Sequence, residues 1–163
     1  MATLKALVVY YSRSGTTRTL ATAIAQTLGC DLEEIRDTSR RSGALGYVRS
    51  LIEAFRRQPS AIEPAAHDPG SYDLVIVGTP VWAGSMSSPV RSYLMANKAR
   101  LREAAFFCTL GGRGSESAFA QMQELAGRAP RALCAVAASD VRSGRYAAEV
   151  ARFVKALAAV APP

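Results

Sequence analysis

Three runs of apolar residues constrain this chain more than any other feature: Leu7-Val8-Val9-Tyr10-Tyr11, Leu74-Val75-Ile76-Val77 and Ala105-Phe106-Phe107-Cys108. They show little alternation of polar and apolar residues, so they do not suit strands with one wet face. Short continuous runs of this kind, bounded by Ser, Gly or Pro, fit strands covered on both faces, as in a parallel sheet. Five strands are expected in all: Leu4–Tyr11, Cys30–Ile35, Leu74–Gly78, Ala104–Leu110 and Ala132–Ala138.

Segments of helical spacing lie between them. Leu20, Ile24 and Leu28 recur every fourth residue, and Leu45, Val48, Ile52 and Phe55 mark a second helix. Val90, Tyr93 and Leu94 follow Ser87-Ser88-Pro89, where Ser can cap and Pro can occupy the first turn. Phe119, Met122 and Ala126 mark a fourth helix, and Val150, Phe153, Val154 and Leu157 a fifth. Strands alternating with helices imply right-handed βαβ units, hence an open α/β sheet with helices on both faces. The 163 residues suit one domain, 1–163; the loop ends of the long connection from Asp37 to Tyr72, Asp37–Gly43 and Pro59–Ser71, are too short and too polar to mark a domain boundary.

Composition narrows the chemistry. The longest apolar runs fall far short of the ~18 residues of a membrane span, so no membrane role is expected. The N-terminus lacks a signal-peptide cleavage pattern and runs directly into a strand. Cys30, Cys108 and Cys134 have no metal-ligand spacing and read as buried free thiols of a cytoplasmic protein. A single His67 argues against a His-based triad or metal site. Twenty Lys and Arg against thirteen Asp and Glu give a net charge of +7, which points to an anionic ligand or an acidic partner. Arg36, Arg40, Arg41, Arg49, Arg56 and Arg57 concentrate that excess; they read either as a solvated face or as a docking surface for an acidic redox partner or a nicotinamide cofactor. No base-stacking aromatics accompany them, so nucleic acid is not expected.

In open α/β sheets ligands bind beyond the C-terminal ends of the strands. Three strand ends here are rich in Ser, Thr and Gly. Ser12-Arg13-Ser14-Gly15-Thr16-Thr17-Arg18 leads from a strand into a helix, where hydroxyls, backbone N–H groups and the positive helix end favour a phosphate. It has neither the Gly-Lys-Ser/Thr of a Walker A loop nor a Gly-x-Gly-x-x-Gly. Thr79-Pro80-Val81-Trp82-Ala83-Gly84 holds the chain's sole tryptophan in a loop, where an indole can stack on a flat ring or fold over the strand ends. Gly111-Gly112-Arg113-Gly114 lets backbone approach a ligand closely, and Arg113 either faces a reduced ring or is solvated. A phosphate site, a planar-ring site and a glycine wall together describe a mononucleotide with a flat aromatic ring.

From Lys5 to about Leu157 the chain resembles the flavodoxin family. Tyr11–Thr19 is similar to the family's FMN-phosphate loop, Thr79–Gly84 to the loop over the flavin ring, and Leu110–Gly114 to the second ring-flanking loop. The resemblance implies a flavodoxin-like three-layer sandwich, with a five-stranded parallel sheet of order 2-1-3-4-5 and FMN at the switch point. It implies that Ser12, Ser14, Gly15, Thr16 and Thr17 hold the phosphate. Thr79, Pro80, Val81, Trp82, Ala83 and Gly84 would contact the ring and ribityl chain, and Gly111, Gly112, Arg113 and Gly114 would border the ring. Arg18 stands where short-chain flavodoxins often carry an acid, and the third loop lacks their Gly-Asp and Tyr. Electron-carrier flavodoxins are also typically acidic. An FMN-binding electron carrier, an FMN-dependent NAD(P)H reductase and a non-redox binding module of the same fold all stay open.

Overall fold

The computed structural model describes residues 3–38, 45, 48–49, 51–52 and 59–159. The strands are β1 (Ala6–Tyr10), β2 (Asp31–Glu34), β3 (Leu74–Trp82), β4 (Ser85–Met86), β5 (Glu103–Leu110) and β6 (Leu133–Ala137). The helices are α1 (Thr16–Leu28), α2 (Ser88–Asn97), α3 (Ser115–Ala126), α4 (Ala138–Arg142) and α5 (Ala147–Ala159), and residues 45, 48–49 and 51–52 are helical as well. The sheet runs β2-β1-β3-β5-β6, with the antiparallel β4 paired to β3 off that path. Counting the parallel strands alone, this is the expected order 2-1-3-4-5.

The continuous apolar runs are explained by which way successive residues face. Leu7, Val9, Val75, Val77, Phe106 and Cys108 lie against Val90, Tyr93 and Leu94 of α2 and Phe119 and Met122 of α3. Val8, Tyr10, Leu74, Ile76, Ala105 and Phe107 lie against Leu20 and Ile24 of α1 and Phe153 and Leu157 of α5. Each central strand is therefore buried on both faces, and its alternating side chains feed two separate cores. The edge strand β6 does alternate: Cys134 and Val136 are buried and Leu133 is exposed.

Several expectations change. β3 continues four residues past Gly78, through Trp82, and returns as β4. The short helix α4 follows β6 directly, where the sequence offers no apolar period to announce it. Leu45, Val48 and Ile52 have the helical spacing expected of them but form no core stripe, being 86%, 49% and 47% exposed. Phe55 lies outside the described residues, as do Arg40, Arg41, Arg56 and Arg57. Cys30 is half-buried rather than buried, whereas Cys108 and Cys134 are enclosed. Among the described residues no helix is long and apolar enough to cross a membrane.

The enclosed thiols make the fold sensitive to base. Burial pushes Cys108 from 9.0 up to about 12 and Cys134 from 9.0 up to about 11. Above pH 9.0 the unfolded chain releases these protons while the folded chain keeps them. Folding stability is therefore full below that pH and falls as pH rises toward about 12. Thermal midpoints measured from neutral pH upward should decline above pH 9.0, and Cys108→Ala should make that decline shallower.

Candidate functional site

The chain leaves β1 at Ser12 and turns into α1 through Gly15. Gly15 is the N-cap at φ 98°, a left-handed conformation that glycine adopts without strain, and no side chain caps the helix. Ser12 Oγ instead accepts the Gly15 N–H at 3.0 Å, which leaves its own proton for another acceptor. The first-turn N–H groups of α1 have no intrahelical partner, so this end of the helix offers a set of open donors. The hydroxyls of Ser14 and Thr16 are 3.4 Å apart. The Thr17 hydroxyl meets that of Thr109 at 2.8 Å, tying the loop to the end of β5. Arg18 turns away to Glu34 on the edge strand β2, at 2.5 Å.

The second strand end is a hairpin. Val81 pairs with Met86 and Trp82 with Ser85, and the two turn residues Ala83 and Gly84 have φ of 51° and 71°. A two-residue turn with both φ values positive has the twist a hairpin needs. Pro80, which cannot donate to a ladder, makes the sequence read as a loop here. Thr79 is fully buried and accepts the Ser87 N–H at 2.9 Å, fastening β3 to the start of α2. The Trp82 ring meets Tyr11 edge-on, with centroids 6.1 Å apart.

Two buried polar residues that the sequence did not mark out hold the hairpin turn. Gln121 of α3 donates to the Gly84 carbonyl at 3.3 Å and to Ser85 Oγ at 3.2 Å, and accepts from Arg91 of α2 at 2.8 Å. The third loop presses on the same turn. Gly114, at φ 103°, lies so close that an added Cβ would sit 2.9 Å from the Gly84 Cα.

These strand ends surround an open cleft of about 360 Å³, within the roughly 300–1,000 Å³ of small-molecule sites. Ser12, Ser14, Thr16, Thr17, Pro80, Val81, Trp82, Ala83 and Gly111 all line it. The other expected residues stand outside the lining. Gly15 and Gly84 shape turns, Thr79 and Gly114 brace the hairpin, and Gly112 and Arg113 are exposed. Arg13, Thr109 and Leu110 join the lining from the loops already recognised, while Leu51, Ala138 and Arg142 come from segments that had not been. The signal for the last two was available: β6 is also a parallel strand, and its C-terminal end faces the same side as the others. Neutral hydroxyls and an uncapped helix stand with Val81, Trp82 and Leu110 in one cleft, a donor set that fits a ligand with an anionic end and a flat apolar one.

A family model described as Flavodoxin matches residues 5–133. Among solved structures, a flavoprotein from Lactobacillus acidophilus NCFM in complex with FMN aligns with a TM-score of 0.69 at 26% identity, covering 86% of this chain and 97% of that one. A flavoprotein from Bacteroides eggerthii aligns with a TM-score of 0.72 at 20% identity, over 86% and 95% of the two chains. Oxidised Flavodoxin 2 from Bacillus cereus aligns with a TM-score of 0.60 at 16% identity, over 94% and 97%. The latter two likenesses are of fold. No curated protein matches the chain.

Proposed function

The chain belongs to the flavodoxin family, and from that premise we propose that it is a redox protein carrying electrons through a non-covalently held FMN. The observation that carries this reading is the single cleft joining the open N-terminus of α1 to the apolar residues of the hairpin. The similar flavoprotein from Lactobacillus acidophilus, solved in complex with FMN, supports the choice of cofactor. When bound, FMN supplies the electron chemistry, and the protein supplies binding, orientation and electrostatics. Ser12, Ser14, Thr16 and the first-turn amides of α1 hold the phosphate. Thr17 holds the loop to Thr109, and Val81 and Trp82 shield the ring from water.

An acidic redox protein is the partner this surface suits. Leu45, Val48 and Ile52 are exposed, Leu51 lines the cleft, and the surrounding sequence is rich in arginine. Exposed apolar side chains bordered by positive charge favour a transient complex with a negatively charged surface. Three free cysteines support a reducing cytoplasm.

Titration of the purified protein with FMN tests the first step. Saturable yellow colour and quenching of Trp82 fluorescence are expected, and no binding at high micromolar FMN would overturn the reading. Anaerobic mixing of the FMN-loaded protein with NADPH tests the second. Unchanged visible bands support a carrier that exchanges electrons with proteins, and rapid bleaching would make the protein an NAD(P)H reductase instead.

A further inference from the structure

Arg142 ends α4, the short helix after β6, and lines the same cleft as Ser12, Ser14, Thr16 and Thr17. α4 packs against α1, β5 and β6, and the shared lining sets the arginine in one cleft with the loop that enters α1. The side chain is exposed and has no hydrogen bond or ion pair among the described residues. The carboxylate nearest in sequence, Asp140, is instead 3.3 Å from Arg145. Of the two arginines beside the start of α1, Arg18 is paired with Glu34 and Arg13 shares the cleft lining.

The first loop therefore offers hydroxyls, amides and one cation in the cleft lining, Arg13, for a phosphate monoester, which carries nearly two negative charges at neutral pH. The Arg142 guanidinium, with its donors unused and in the wall of the same cleft, adds the second positive charge that a phosphate dianion calls for. We propose that Arg142 pairs with the phosphate of the bound flavin mononucleotide and makes the site select the phosphorylated flavin over riboflavin. This rests on the FMN reading given above.

Binding of FMN and of riboflavin to the wild type, Arg142→Gln and Arg142→Lys, followed by flavin fluorescence at low and high salt, tests it. A charge-assisted hydrogen bond in a partly open site is worth about a factor of 10 in affinity. Arg142→Gln should therefore weaken FMN binding about 10-fold while leaving riboflavin unchanged, and Arg142→Lys should keep part of the difference. Added salt should weaken FMN binding to the wild type more than to Arg142→Gln. Unchanged FMN affinity in Arg142→Gln would overturn the proposal, and so would an equal loss for both flavins, which would mark a structural role. A wild-type protein that binds riboflavin and FMN equally well would overturn the proposal alone. One that binds neither would overturn the FMN reading and the proposal with it.

Discussion

Gly78→Ala should destabilise the fold by about 3 kcal/mol and lower the melting temperature by roughly 6–12 °C, the upper end of what overpacking does in a domain of this size. Gly78 pairs with Phe107 across β3 and β5, and an added Cβ would lie 2.0 Å from the Phe107 ring. That ring is fully buried on the side of the sheet covered by α1 and α5, so it cannot swing aside. The test is a thermal or denaturant melt of the variant and of the double mutant Gly78→Ala with Phe107→Leu. The smaller side chain should restore part of the loss, giving a coupling energy well beyond the scatter of independent sites. Additive effects, or a Gly78→Ala protein as stable as the wild type, would mean that the close approach is not what fixes this position.

Gly114→Ala should damage both stability and flavin binding. The residue sits at φ 103°, so any side chain strains the backbone by about 1–3 kcal/mol. The new methyl would also meet the Gly84 Cα at 2.9 Å, and backbone cannot retract as the end of a flexible side chain can. The strain is relieved by pushing the hairpin turn away, which moves the strand bearing Val81 and Trp82. A shift worth 1.4 kcal/mol at the ring contacts weakens binding about 10-fold, and a loss of at least that size is expected in an FMN titration. Gly112→Ala serves as the control, because its Cβ would meet nothing within 4 Å. If Gly114→Ala bound FMN like the wild type, the contact between third loop and hairpin would have no part in forming the site.

The sequence made the centre of the sheet legible and the polar scaffolding around the site much less so. Leu7–Tyr10, Leu74–Val77 and Ala105–Phe107 carry apolar side chains on both faces, and their alternation with helices pointed to an open α/β sheet, whose strand order came from the family resemblance. The loop after β1 was legible as part of the cleft because its chemistry is local, with Ser12, Ser14, Thr16 and Thr17 placed by a few consecutive residues. The hairpin was hidden because Pro80 and Gly84 are residues that usually interrupt a ladder. Gln121 and Arg91 could not be read because their bond joins helices thirty residues apart, and each alone looks like a surface residue. Arg142 was missed because no apolar period announced α4, although the strand end before it faces the cleft.

The bare N-terminus of α1 also links the protein's abundance to its supply of cofactor. A helix start capped by glycine forgoes only a few tenths of a kcal/mol relative to Ser or Asp, but leaves its first-turn N–H groups open. An anion that docks there binds the folded chain and not the unfolded one, so it shifts the folding equilibrium by mass action. At a free concentration 100 times its Kd, the gain is about 2.7 kcal/mol, more than the missing cap. A chain synthesised when flavin is scarce would unfold more often and be cleared faster by proteases. Loading of the prosthetic group at this helix start would thus favour the folded chain over the unfolded one.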